Sequence, residues 1–573
     1  MNSRAPIRFS GRFRAEVASR PESIPDPQSI LRTVAAAQRP APARTAPQRR
    51  PADTPVIDWI GRAGATEGCG MPITGTVLQT AELHPDRPAI VGEDGALGYA
   101  GLVEDSRRVF AAVDAAHRAQ DVPPKPAPET HGIPITAVSV GSAFHAARIV
   151  AGLAGYRAVS AVIDPQWPLA HRVHVVTAAG IGLVIGDDPT LAPALRGAGW
   201  TGTVLTLDEF RDREAVATPA VPPTVRDGDE AFLLLFSSGT TSDPKAFLKT
   251  RRQYRANVAV SSAHLEPLPG VRTLAPGPLS YSLTLYALIE CLATGGGAHL
   301  ADAFDPARLA RRVAAEGITR IVAVPAVVQV LIDAARRDPG AFSALELVVT
   351  GGANLPTALR DGLAAVLPHV RLISYYGAAE IGFIGDSHGG DGTLLDVYDG
   401  ILAEIRDDTG AHVPDGELGT LWIHAAACSD GYLAATTDAA LRGPDGWATV
   451  HDLARIVDGR LQLAGRAGDV VATGGHKVSL PEVERAFDTM PGLGTACAVA
   501  LPDPRLGSVV ALVIEGATAP SKAELQAWAR VRLAPQFVPR RWYVLDRLPR
   551  TAGGKIRRPA TAALLADGEG IRL

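Results

Sequence analysis

The residues of this chain best equipped for chemistry stand at the ends of apolar runs. Residues 232–249 read FLLLFSSGTTSDPKAFLK. The run 232–236 is bulky, free of proline and of strand length, which predicts a buried strand. It gives way to Ser237, Ser238, Gly239, Thr240, Thr241, Ser242, Asp243, Pro244 and Lys245. Such a loop combines hydroxyls, a glycine-freed backbone able to turn N–H groups toward an anion, and an ammonium. Those are the groups that cradle a polyphosphate. The G-x-x-x-x-G-K-[ST] spacing of a Walker A loop is absent. An ordinary Ser/Gly-rich turn has the same composition, so this stretch alone leaves both readings open.

Four further stretches follow in order. Gly351, Gly352 and Ala353 end the apolar run 345–350, and backbone without bulky side chains there lets a flat ring lie close. Tyr375, Tyr376, Gly377, Ala378, Ala379 and Glu380 offer an aromatic face and a carboxylate. His451 and Asp452 offer a carboxylate that could take two ribose hydroxyls. Residues 549–556, PRTAGGKI, set Lys555 on a glycine loop. Singly, each has a plain counterpart: a turn, a buried tyrosine, a surface acid, a solvated basic tail. Jointly, and in this order, they are hard to produce by chance.

On these motifs the sequence resembles the adenylate-forming superfamily of acyl-CoA synthetases, peptide-synthetase adenylation domains and luciferases. SSGTTSDPKA is similar to its phosphate loop, YYGAAE to its Tyr-Gly-x-x-Glu motif and HDLAR to its ribose-binding Asp motif. GRAGDVVATGGHKVSLPEVE is similar to its hinge, and PRTAGGKIRR to its C-terminal lysine loop. The likeness spans roughly residues 75–565. It implies two half-reactions: ATP converts a carboxylate into an acyl-adenylate, and the acyl group then passes to a thiol.

The resemblance also implies roles. Thr240, Thr241 and Lys245, in the loop with Ser237, Ser238 and Gly239, would hold the β/γ-phosphates, and Glu380 with Thr240 would hold Mg2+. Tyr376, flanked by Tyr375 and Gly377, would stack on adenine, with Gly351, Gly352 and Ala353 along the opposite edge. Asp452 would take the ribose hydroxyls, and Arg466 would support ribose and phosphate. Lys555 would bridge the substrate carboxylate and the α-phosphate. Rotation about Gly468 would then withdraw Lys555 and bring Thr473, Gly474 and Gly475 to a thiol tunnel. Tyr281, Gly352, Gly377 and Phe383 would face the acid. ATP, Mg2+ and, as co-substrate, CoA are the expected ligands.

Departures from the family pattern bear on these roles. Ser242 stands where the loop often has Gly, Ala379 replaces the usual Thr beside Glu380, and Gly468 sits where the hinge carries Asp or Lys. The segment GPLSYSLTLY, 277–286, has no carboxylate, whereas amino-acid-activating members place an Asp there to pair an α-ammonium. A buried ammonium without a partner is costly, which favours an acid lacking an α-amino group. Leu279, Leu283, Leu285 and Phe383 are candidate wall residues or plain core. No phosphopantetheine-attachment serine motif follows Lys555, so a carrier protein would be a separate chain. CoA is the first expectation for the acceptor, a free-standing carrier protein the second, and an amine the third. A non-catalytic nucleotide-binding relative is the alternative from a different class.

These residues need a scaffold, and 573 residues predict two or three domains. The composition, 46% hydrophobic and 20% charged, is that of a globular chain with a large core. Ten arginines and no lysine against Glu16, Glu22 and Asp26 make residues 1–50 basic, so the rest is more acidic than the overall −4, which argues against nucleic acid as a partner. Cys69, Cys291, Cys428 and Cys497 form no CxxC pair, as in a reducing, cytoplasmic setting without structural zinc. The most apolar segment, 321–332, is too short to span a membrane and holds Pro325 and Gln329. No signal-peptide core is evident.

Residues 1–55, rich in Arg, Pro and Ala, cannot bury enough apolar area to offset ordering and are expected to be disordered. Residues 72–464 are expected to form a large adenylation domain of layered α/β sheets with a small β-barrel-like region after residue 394. Strands at 135–140, 159–163, 204–207, 232–236, 318–324 and 345–350, with helices at 99–116 and 143–154, alternate as in a parallel α/β sheet. Residues 454–463 read as a hairpin about Asp458-Gly459. Residues 465–573 are expected to form a small, mobile α+β lid: a helix capped by Ser479, strands at 496–501 and 509–514, and a helix at 523–532.

Overall fold

Short apolar runs separated by amphipathic helices build two sheets around a shared helical layer. The computed structural model describes residues 73–237, 244–353, 355–390, 392–473, 476–516, 519–533, 535–551 and 555–573. The expected disordered tail, 1–55, lies outside them. A six-stranded sheet runs in the order Thr203–Leu205, Leu183–Gly186, Ile135–Ser139, Val159–Val162, Ala231–Phe236 and Ala246–Thr250. All its pairings are parallel except the last, in which the strand leaving the loop 237–245 returns beside the one that enters it.

The second sheet has thirteen strands. Its parallel centre, Arg371–Ala378, Leu347–Thr350, Arg320–Ala323, Arg272–Ala275, Gly297–Leu300 and Pro88–Gly92, is flanked by antiparallel strands at both ends. Residues 394–466, where a small β-barrel-like region was expected, supply the strands at one of those ends. The Asp458-Gly459 turn adopts φ 51° and 75°, the double left-handed geometry of a tight hairpin.

One apolar cluster joins the sheets. It passes from Val138, Leu183 and Leu233 through the helices Tyr99–Arg118, Ala143–Leu153 and Ser282–Thr294 to Leu300, Val322 and Val349. Helices Leu309–Ala315, Pro325–Arg337 and Thr357–Val366 cover the far face of the large sheet. The apolar segment 321–332 is thus split between the strand Arg320–Ala323 and a helix that begins at Pro325, which fits the first helical turn because its missing N–H would be unpaired there anyway. The expected strand 204–207 ends at Leu205, because Thr206 closes a reciprocal capping box with Glu209 and starts a helix.

The smaller C-terminal domain is a four-stranded sheet, Ala496–Asp503, Gly507–Glu515, Arg541–Leu545 and Ile571–Arg572, packed against the helices Leu480–Arg485, Lys522–Arg532 and Arg558–Ala566. The hairpin Val470–Thr473 and His476–Ser479 leads into it. Ser479 caps the first helix by accepting from the Glu482 N–H at 3.3 Å. Among the described residues no helix is long and apolar enough to cross a membrane.

Candidate active site

Strand ends from both sheets converge with the C-terminal lysine loop. The strand Ala231–Phe236 ends at Ser237, whose N–H donates to the Lys245 carbonyl at 2.9 Å while its Oγ accepts from the Lys245 N–H at 3.3 Å. These two bonds pinch the loop 237–245 at its base. Ser238, Gly239, Thr240 and Thr241 lie outside the described residues. The Lys245 ammonium stands 5.2 Å from the centroid of the Tyr432 ring, within cation–π range.

The strand Leu347–Thr350 delivers Gly351 and Gly352. The expectation that a bare backbone would admit a ligand ring needs correction at Gly351. A Cβ there would lie 2.5 Å from the ring of Tyr375, so the flat ring against it is the protein's own. Gly377 likewise has its bare face filled, since a Cβ would lie 2.5 Å from the Gly382 carbonyl oxygen at a bulge between neighbouring strands. Gly352 differs: it is exposed, holds φ +78°, and a Cβ on it would stand 4.0 Å from Lys555 Nζ. Ala353 is exposed beside it.

Lys555 reaches that position from a loop closed by the Thr551 N–H donating to the Lys555 carbonyl at 2.7 Å and by the Lys555 N–H donating to Thr551 Oγ1 at 3.1 Å. Burial lowers its pKa from the ordinary lysine value, the Arg466 charge lowers it further, and Asp452 opposes both. Lys555, Arg466 and Asp452 therefore share one electrostatic neighbourhood. Arg466 Nε donates to Asp452 Oδ1 at 3.1 Å, and the Tyr376 hydroxyl donates to Asp452 Oδ2 at 2.6 Å. Each carboxylate oxygen keeps a further lone pair for a ligand hydroxyl. His451, directly ahead of Asp452, holds φ 61°, an uncommon conformation for a non-glycine residue.

Glu380 is buried, and its Oε1 accepts from the Tyr432 hydroxyl at 2.9 Å. Its backbone carbonyl accepts twice, from the Ser429 N–H and from Lys249 Nζ, each at 2.8 Å. Lys249 and Tyr432 were not among the residues expected from sequence. For Lys249 the signal was present: a lysine inside the apolar run AFLKT, in a strand whose first four residues are buried. Burial pushes its ammonium down to about 8. Among the described residues no cluster of three or more His, Cys, Asp or Glu could hold a metal.

The remaining expected residues are more dispersed. Tyr281 is partly buried and directly precedes the helix Ser282–Thr294. Phe383 is buried behind Tyr375, at 4.9 Å between ring centroids, and leans on Tyr286. Leu279 and Leu285 belong to the same buried core. Thr473 is buried at the end of its strand, and Gly474 and Gly475 lie outside the described residues. Gly468 is exposed, with open space where a Cβ would stand and without a left-handed φ, so its backbone demands no glycine in this state.

Two strand-end carboxylates, the tyrosine rings beside them and a lysine carried in from the C-terminal domain are groups that an adenylate-forming enzyme would use. A family profile described as AMP-binding enzyme matches residues 137–433, and one described as AMP-binding enzyme C-terminal domain matches 482–555. The chain belongs to the AMP-binding enzyme family. It is an ATP-dependent, AMP-forming acid–thiol ligase.

Among curated relatives, the chain is 28% identical over 497 residues to an uncharacterized acyl–CoA ligase, YhfT, of Bacillus subtilis, covering 85% of this chain and 97% of that one. It is 32% identical over 400 residues to a salicylyl-CoA synthase / salicylate adenylyltransferase of a Streptomyces species, covering 65% and 70%. Among solved structures, ATP-bound MatB from Rhodopseudomonas palustris superposes with a TM-score of 0.75 at 22% identity, covering 87% of this chain and all of that one. That likeness speaks for the fold.

Proposed function

We propose that this enzyme activates a carboxylic acid lacking an α-amino group and passes the acyl group to CoA, with Lys555 as the catalytic residue of the first step. The observation that carries this reading is the Lys555 ammonium over exposed Gly352, beside the Arg466–Asp452 pair. In that step a carboxylate oxygen attacks the α-phosphorus of ATP, the bond to the bridging oxygen breaks, and pyrophosphate leaves. Negative charge gathers between the carboxylate and the α-phosphate, where a preset ammonium lowers the barrier. Asp452 binds the ribose hydroxyls, Tyr376, held by its hydroxyl, presents its ring to adenine, and Lys245 with the loop 237–245 takes the terminal phosphates.

Glu380 suits Mg2+, a hard cation that pairs with one or two carboxylates plus substrate phosphates and keeps its waters. Bound there with Thr240, the ion would offset polyphosphate charge. In the second step a thiol sulfur attacks the acyl carbonyl, the thiol proton goes to solvent, and AMP leaves. We assign residues 72–464 to the adenylation domain and 465–573 to a lid that turns about Gly468. The acceptor is CoA in first place, supported by the acyl–CoA ligase relative, and a separate carrier protein in second. The buried, unpaired thiols of Cys291, Cys428 and Cys497 favour a cytoplasmic setting.

Pyrophosphate release with a panel of acids tests the first step, and adding CoA or carrier protein separates the acceptors. Release without any acid dependence would overturn the reading. So would release confined to α-amino acids.

A further inference from the structure

Lys249 is buried among backbone groups that flank the site, and no carboxylate lies within hydrogen-bonding distance in its described contacts. Its Nζ donates to the Glu380 carbonyl at 2.8 Å and to the Ala427 carbonyl at 2.5 Å. It sits on the return strand of the phosphate loop, opposite Leu233. The segment it grips is cross-tied elsewhere: Ser429 Oγ donates to the Leu248 carbonyl at 2.9 Å, and the Leu433 N–H donates to the Ala246 carbonyl at 2.7 Å. Arg442 donates to the carbonyls of Cys428 and Ser429 at 3.0 and 2.9 Å. The same segment ends in Tyr432, whose hydroxyl donates to the Glu380 carboxylate and whose ring faces Lys245.

Placing an ammonium in a dry strand is costly, and an apolar side chain of the same length would pack there without that penalty. What the charge supplies and an apolar residue would not is a cross-link between two carbonyls from distant parts of the chain. One of them belongs to the residue assigned to Mg2+. With its carbonyl held by Lys249 and Ser429, and its carboxylate held by Tyr432, Glu380 is fixed at both ends.

We propose that Lys249 is a positioning residue for the nucleotide step: its buried ammonium ties Glu380 to Ala427, so that the Glu380 carboxylate and its Tyr432 partner face the polyphosphate as a preset pair. The inference rests on the assignment of Glu380 to the metal. A wild-type enzyme that binds ATP equally well with and without Mg2+ would remove that assignment before any variant is made.

The test compares wild type with Lys249→Met, Lys249→Gln, Tyr432→Phe and the Lys249→Met/Tyr432→Phe double variant. Mn2+–ATP binding is read by water-proton relaxation, alongside pyrophosphate release titrated with Mg2+ and thermal unfolding. Lys249→Met is expected to raise the Mg2+ concentration for half-maximal rate and the Mn2+–ATP dissociation constant by five- to tenfold, with the KM for the acid unchanged. Tyr432→Phe should move both in the same direction. The double variant should be no worse than the worse single one, because both changes act on one carboxylate. Lys249→Gln keeps an uncharged NH2 that can donate to a carbonyl and should fall between wild type and Met, and it carries the test if the Met variant does not fold. Unchanged metal dependence in a folded Lys249 variant would overturn the proposal. So would fully additive losses in the double variant, or a fall in activity matched only by a fall in melting temperature.

Discussion

The Nζ of Lys555 lies 4.0 Å from where a Cβ on Gly352 would stand, so a residue of the C-terminal domain closes over a strand end of the large sheet. On the role proposed for Lys555, this places its ammonium where adenylation would use it. Lys555→Ala removes the ammonium proposed to meet the gathering charge, and losing one such preorganised group costs on the order of 10²–10³ in rate, about 3–4 kcal/mol. Pyrophosphate release is expected to fall by that factor. Thioester formation from supplied acyl-adenylate should stay near the wild-type rate, because the proposed role gives the lysine no part in thiol attack. Equal loss of both half-reactions would contradict the division of labour.

Gly351 is constrained by packing. A methyl group there would sit 2.5 Å from Tyr375 Cζ, closer than side chains approach, and the Tyr375 ring is backed by Phe383. Gly351→Ala should therefore displace an aromatic stack and destabilise the protein by about 1–3 kcal/mol, in the range of overpacked cores. Pairing it with Tyr375→Leu should recover part of that loss, since the smaller side chain yields the space. Thermal unfolding of the three variants is the measurement. A single variant as stable as wild type would show that the strand end adjusts freely.

How far these relations were legible in the sequence depends on their range. The Asp458-Gly459 hairpin and the cap at Ser479 are local, and residue type alone placed them. The meeting of Lys555, Arg466, Asp452 and Tyr376 became legible through the order of motifs, although no local pattern says that residues 76 apart share a hydrogen bond. Gly351 was misread because glycine reports that something lies close without saying what, and here it is Tyr375. Lys249 escaped because a lysine in a strand is ordinarily an outward-facing residue, and only the fold brings the carbonyls of Glu380 and Ala427 to it. The thirteen-strand order is set by pairings between distant segments, such as Ile90 with Ala298, that periodicity does not encode.

Tyr376 and Asp452 meet in a short polar contact, 2.6 Å from hydroxyl to Oδ2. Tyr376→Phe keeps the ring and leaves Arg466 as the side-chain partner of Asp452 among the described residues. A hydrogen bond to a charged group contributes about 1.5–3 kcal/mol, and its loss loosens the carboxylate that would take the ribose. The KM for ATP is expected to rise roughly tenfold or more, while the KM for the acid changes little. Steady-state kinetics with each substrate varied in turn reads this directly. An unchanged ATP KM would place the ribose elsewhere.

His117 ties stability to pH away from the active site. It lies near the end of the helix Tyr99–Arg118, with Nε2 2.9 Å from Thr136 Oγ1, and burial pushes its pKa from 6.5 down to about 4, against the opposing charge of Asp114. Between those two values the unfolded chain binds a proton that the folded chain does not, so acid favours unfolding there. The stability His117 confers is complete above about pH 6.5, declines as pH falls toward 4, and is gone below that. Its size is about 3 kcal/mol at most, since each pKa unit is worth 1.36 kcal/mol. His117→Gln keeps a polar group for Thr136 and has nothing to titrate. Urea unfolding at a series of pH values should show wild type losing stability relative to this variant across that window, with the difference constant above pH 7. Parallel curves from pH 7 to 4 would mean that the imidazole titrates alike in both states.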